Sequence, residues 1–175
     1  RIETDFGVQV NTGRPQVVYR ETLKKQIEHH EVFEREIEGR LNHGEVRLQI
    51  KPLSRRSGVE IIIPDQLTEI LPEEIIASVS GTIEQACQSG PIAGYPLTDL
   101  QIEILDLPYD PSVTTTRGIQ AALNIAISLA VRKGSPTLLE PVMELELTIP
   151  SEHTGRVMGS LRQKGGQVSG VTTHA

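Results

Sequence analysis

No tryptophan occurs among the 175 residues, and the other aromatics are three Tyr and two Phe. The core must therefore be built from Ile, Leu and Val. A single cysteine, Cys87, excludes an internal disulfide and fits a reducing compartment. No run approaches the roughly 18 apolar residues that cross a bilayer, so no membrane span is expected, and no membrane is counted among the partners. The start, RIETDFG, does not read as a signal peptide. It also lacks an initiator Met, and the chain is expected to begin inside a larger gene product. A basic surplus is missing as well: 17 Lys+Arg face 23 Asp+Glu, for a net charge of −6. Taken alone, that balance argues against a general nucleic-acid binder. It leaves room for a local basic tip on an acidic body.

Signature motifs of catalysis are also scarce. No segment matches G-x-x-x-x-G-K-[ST] or G-x-S-x-G, so no phosphate loop or nucleophile elbow is expected. The histidines are His29, His30, His43, His153 and His174. His29 and His30 are adjacent, so on a strand they point to opposite faces. With one Cys they make a poor zinc set, and no metal or cofactor is expected in this chain. Cys87 falls on the apolar face of a helix and is expected to be buried and inert.

What is present is an alternation of strands and helices. FGVQV and QVVYR flank the turn NTGRP, so residues 1–22 read as extended. The charge-rich stretch 23–45 alternates with a period of two and reads as a strand or long hairpin arm. In VRLQIKPL, Val46, Leu48 and Ile50 share one face, Pro52 ends the strand, SRRSG turns, and Val59–Ile63 forms the next strand. A helix is predicted from about Pro72 to Ser89, with Glu73 and Glu74 at its positive end. Its apolar stripe is Ile75, Ile76, Val79, Ile83, Ala86 and Cys87. Asp99–Asp106 alternates as a strand. A second helix is predicted over Thr115–Lys133, capped by the TTT run and by Gly134. MELELTI then places Met143, Leu145, Leu147 and Ile149 on one face of a strand. Ser151 is the expected N-cap of a short helix marked by Val157, Met158 and Leu161, Gly165-Gly166 ends it, and QVSGV begins another strand. This last β-α-β unit is too small to bury a core by itself, and a boundary is expected near Thr137. The whole is an α+β chain with two protruding turns, 38–45 and 107–115.

The first turn, GRLNHGEV, brackets an arginine, an asparagine and a histidine between Gly39 and Gly44. It precedes a strand, where a Rossmann fingerprint would open a helix. The other glycine-rich stretch, QSGPIAG (Gln88–Gly94), follows a helix and leads into a strand, the wrong order for a nucleotide loop.

The order of GRPQVVYRET (13–22), GRLNHGEVRLQIKPL (39–53), ILPEEI (70–75), QSGPIAGYPLTDLQIEILD (88–106), AVRKGSP (130–136) and LLEPVMELELTIPSEHTGRVMGSLRQKGGQVSG (138–170) resembles the C-terminal part of elongation factor G, the ribosomal translocation GTPase. The resemblance covers nearly the whole chain. It implies that residues 1–22 end a third domain and its link. Residues 23–137 would be a fourth domain with a ribosomal-protein-like, left-handed β-α-β module. Residues 138–175 would be the first β-α-β of a ferredoxin-like fifth domain. It also implies partners: the ribosome, with rRNA, tRNA and mRNA at the small-subunit decoding region, in a bacterial cytoplasm. GTP and Mg would belong to a G domain outside this chain, which itself would hydrolyse nothing. The two turns would be tip loops, with contacts from Gly39, Arg40, Asn42, His43 and Gly44 in the first and Tyr109, Asp110, Thr114 and Thr115 in the second. Relatives typically read G-G-R-G-Q-Y-G in the first loop; Gly39, Arg40 and Gly44 match, Asn42 nearly matches, Glu38, Leu41 and His43 depart, and Asp110 stands where they carry His. A carboxylate repels phosphate where an imidazole could donate. The resemblance thus leaves open a paralogue acting in ribosome recycling. A free-standing RNA- or protein-binding module and a small-molecule kinase of the same fold compete with the ribosomal reading. The 138–170 segment would lack its remaining strands, and its open edge is expected to be covered by a neighbour, by the fourth domain or by self-association with a second copy.

Overall fold

A computed structural model describes residues 18–37 and 39–172. The expected FGVQV strand, the NTGRP turn, Glu38 and His174 lie outside the described residues. The chain divides into two compact units, one ending at Pro141 and one beginning at Val142.

The first unit opens with β1 (Arg20–Leu23) and continues through β2 (Ile27–Ile37), β3 (Arg40–Pro52) and β4 (Val59–Ile62). Two helices follow, α1 (Asp65–Ile70) and α2 (Glu73–Ala86), then β5 (Leu100–Asp106), α3 (Thr116–Lys133) and β6 (Pro136–Leu139). A four-stranded sheet has the order β2-β3-β5-β4. Its pairs are antiparallel except β4–β5, which is parallel and joined through α1 and α2. That crossover supplies the long connection a parallel pair requires.

Alternation decides the faces. Val46, Leu48 and Ile50 of β3 and Leu100, Ile102 and Ile104 of β5 are fully buried. They meet Ile75, Val79 and Ile83 of α2 and Ile119, Leu123, Ile127 and Val131 of α3 in one core. Arg47 points away and is exposed. Helices cover one face of the sheet, as a period-two pattern in the strands and a 3.6-residue stripe in the helices require. Pro72 stands at the N-cap of α2, one place before the first helical position. Gly134 is the C-cap residue of α3 at φ −75, and the left-handed residue is the following Ser135 at φ 57.

The strand β6 pairs antiparallel with β1, Arg20 opposite Leu139 and Leu23 opposite Pro136. Residues 20–23 and 136–139 therefore form one small sheet within the first unit.

The second unit departs from expectation. Neither MELELTI nor QVSGV forms a strand among the described residues; only a 3-10 turn at Ser151–His153 and α4 (Thr154–Gln163) are regular, and Ser151 lies inside that turn while His153 takes the N-cap place of α4. Val142, Met143 and Leu145 are exposed. Alternation specifies which face a strand would bury, but a strand exists only where another supplies hydrogen bonds. The end of α4 is fixed as its glycines predict. Gly165 takes φ 79, and the Gly166 N–H donates back to Leu161 O at 2.8 Å, a Schellman closure.

Candidate functional site

The hairpin β2–β3 carries the first protruding turn. Its register runs from Ile27 opposite Ile50 to Ile37 opposite Arg40, with Gly39 in the turn at φ 73. Only glycine takes that conformation without strain. Past the turn, inward and outward residues alternate. Arg40 and Leu41 are exposed, Leu41 by 49%. Asn42 is only 8% exposed, and Gly44 is buried.

Gly44 marks a close approach of two backbones. A Cβ placed there would stand 2.2 Å from the Gly118 carbonyl carbon, and one on Gly118 would stand 2.1 Å from His43 O. The chains cross with no room for a methyl group on either. The first turn of α3 is thereby pressed onto the hairpin. Around the crossing, the Thr115 N–H donates to His43 O at 2.9 Å, and His43 and Thr114 form a parallel bridge. The Thr115 hydroxyl caps α3 by accepting from the Gly118 N–H at 3.0 Å. The same hydroxyl lies 3.4 Å from Asn42 Oδ1, while Asn42 Nδ2 donates to Arg40 O at 3.0 Å. His43 Nδ1 is 3.4 Å from Glu34 Oε2 without hydrogen-bond alignment, so this buried ring nitrogen has no hydrogen-bond partner among the described residues.

The second turn is a closed loop. The Thr114 N–H donates to Asp110 O at 2.7 Å, and the Asp110 N–H donates to Thr114 Oγ1 at 3.0 Å. Asp110 Oδ1 accepts from the Ser112 hydroxyl at 2.6 Å and from its N–H at 2.8 Å. These bonds, the side-chain one first, hold the exposed Asp110 carboxyl below the usual aspartate range. Tyr109 packs its ring partly against the core, and Val113 is 41% exposed. A register shift between Arg47 and Leu48 leaves β5 bulged just before this loop. The hairpin turn and the Asp110–Thr115 loop are thus one joined tip.

The description "Elongation factor G, domain IV" matches residues 15–137, and "Elongation factor G C-terminus" matches residues 137–175. The chain belongs to the elongation factor G family. Over 173 residues it is 45% identical to "Elongation factor G 1" of Geobacter sulfurreducens, covering 99% of this chain and 25% of that relative. "Elongation factor G" of Aquifex pyrophilus is 34% identical, with 98% and 24% covered. The crystal structure of a Thermus thermophilus protein superposes with a TM-score of 0.78 at 26% identity, over 98% of this chain and 26% of that one. The chain therefore spans about a quarter of the length of the curated relatives it matches.

In elongation factor G terms, the joined tip belongs to the domain IV match. The expected contact residues divide into two groups by position. Gly39, Arg40 and Asp110 stand at the surface, and Tyr109 is half-buried. Asn42, Gly44, Thr114 and Thr115 knit the loops together, and His43 lies between the groups. Gly118 escaped the sequence reading because nothing in its helical context marks a backbone crossing. Glu21 escaped it too, and it fills the glycine-rich QSGPIAG turn. Its carboxylate accepts from the N–H groups of Ile92, Ala93 and Tyr95 at 2.9, 2.8 and 3.1 Å. The loop's donors are thus used internally, which removes the geometric basis for a nucleotide there. Among the described residues, no three His, Cys, Asp or Glu side chains converge as metal ligands, and no helix is long and apolar enough to cross a membrane.

Proposed function

We propose that this chain is the ribosome-contacting end of a GTP-driven translocation factor. Its joined tip enters the small-subunit decoding region and supports movement of tRNA and mRNA during protein synthesis in the bacterial cytoplasm. GTP and Mg are handled by a G domain elsewhere in the parent, and this chain acts as its lever. The observation that carries this reading is the fusion of the two loops through His43, Thr114 and the Gly44–Gly118 crossing, on a chain of this family. A fused tip presents Arg40 and Tyr109 at fixed spacing, and preorganised groups lose little freedom on binding. Arg40 is a planar donor suited to phosphate. The acidic net charge is compatible with this role because the contact surface is a small tip.

The test uses the full-length protein. Arg40→Ala is expected to slow tRNA–mRNA movement by roughly tenfold, the worth of one charge-assisted contact, with intrinsic GTP hydrolysis unchanged. Movement at the wild-type rate would sink the proposal.

A second reading, a paralogue devoted to ribosome recycling, is favoured by Asp110. Its carboxylate is exposed at the tip and already committed to Ser112. If subunit splitting, but not movement, responds to Asp110→His, recycling is the better description.

A further inference from the structure

Glu21 is fully buried, although it belongs to a four-residue strand at the edge of the unit. A buried carboxylate is costly unless hydrogen bonds replace its water. Here three backbone N–H groups do so: Ala93 and Tyr95 donate to Oε1, and Ile92 donates to Oε2. The loop is closed around this anion. The Gly90 N–H donates to Tyr95 O at 2.7 Å, the Gly94 N–H donates to Gly90 O, and Gly94 takes φ 79. A second observation is independent of these bonds. A Cβ on Gly90 would lie 2.2 Å from Glu21 Oε2, so the loop is shaped to the carboxylate as well as wired to it.

We propose that the Gly90–Tyr95 loop is a carboxylate receptor whose resident ligand is the chain's own Glu21, and that this pair latches β1 onto the body of the unit in one register. The backbone bonds of β1 do not specify register. The Glu21 N–H to Pro96 O bond and the Thr98 N–H to Glu21 O bond would form with any side chain. Slipping β1 by one residue would turn Glu21 to the other face, and slipping by two would bring Leu23 to the receptor. Only Glu21 can satisfy the three donors, because a carboxylate is purely an acceptor with two oxygens. Tyr19 and Tyr95, with ring centroids 5.3 Å apart, close over the same junction. The latch sits where the chain enters the module, and it holds whether or not the tip works on a ribosome.

Acetate is the fragment that Glu21→Ala removes. In the whole chain carrying that change, amide exchange at Ile92, Ala93 and Tyr95 is expected to accelerate roughly ten- to a hundredfold, the worth of hydrogen bonds to a charged acceptor. Acetate is expected to restore protection and raise the melting temperature of the variant but not of the wild type. Chloride at equal ionic strength should do neither. Unchanged exchange at the three amides, or equal recovery with chloride, would overturn the receptor. If Glu21→Ala does not fold, Glu21→Gln carries the test. Its carbonyl can keep Ala93 and Tyr95, while its amide nitrogen faces the Ile92 N–H, so exchange should accelerate at Ile92 alone. Protection of Ile92 at the wild-type level would overturn the proposal.

Discussion

Replacing Gly118 by Ala sets two effects against each other. Alanine is the better helix former by about 1 kcal/mol in a helix interior, and somewhat less in the first turn where Gly118 lies. The new methyl, however, would stand 2.1 Å from His43 O and 2.8 Å from Gly44 N. Ordinary contact begins at 3.4 Å, so the hairpin backbone must retreat by about 1 Å. Neither neighbour is a flexible side-chain end. Overpacking of this kind costs about 1–3 kcal/mol, and the displaced His43 carbonyl also loses the Thr115 N–H bond, about 1 kcal/mol. The net expectation is a loss of about 2 kcal/mol, or roughly 4–8 °C in melting temperature for a chain of this size. Gly81 supplies the control. It lies exposed within α2, and a Cβ there meets nothing within 4 Å. Gly81→Ala should therefore stabilise by about 0.5–1 kcal/mol. Urea denaturation followed by circular dichroism compares the two. A Gly118→Ala protein as stable as wild type would refute the crossing as a tight joint. A loss in both variants would show that the helix does not tolerate alanine in general, and the crossing would then not be the cause.

Thr115→Ala removes the cap of α3 and the link to Asn42, and should cost about 1–2 kcal/mol, read by the same denaturation. Thr115→Ser, which keeps the hydroxyl, should recover most of it. Burial pushes the Cys87 thiol up to about 11. Cys87 should thus resist alkylation at pH 8 until denaturant is added. Because the unfolded thiol ionises first, this group contributes stability below about pH 9 that is lost as pH rises from there towards 11. Asp110 has the opposite sign: its lowered folded value contributes order above the ordinary aspartate value of 3.8, lost as pH falls below it. NMR should show the Ser112 amide moving with that titration, and a Ser112 amide indifferent to acid would contradict the turn.

Much of the core was legible because it rests on local period. Val46, Leu48 and Ile50 announce their face by alternation, and Ile119, Leu123 and Ile127 announce theirs by helical spacing. Elements that depend on distant partners were not legible. Nothing local tells Pro136–Leu139 that Arg20–Leu23 will be its neighbour. The six residues of α1 are too few to show a stripe. MELELTI has a clear alternation but no partner strand among the described residues, so its pattern alone overstates its structure. At the tip, residue types pointed to the two loops but not to their division of labour. Asn42 looks like a contact residue in sequence, yet its amide is spent on Arg40 O and the Thr115 hydroxyl. Glu21 gave no warning because a lone glutamate in a strand is ordinarily solvated.

The strand β3 runs unbroken from Arg40 at the tip to Pro52 at the far edge of the core. Its outer half holds Asn42 and Gly44, and its inner half holds Val46, Leu48 and Ile50, all on the same side. It behaves as a cantilever whose clamped end is the hydrophobic core. No residue between Arg40 and Val46 leaves the strand, and the clamp at its inner end is the packing of the sheet against α3.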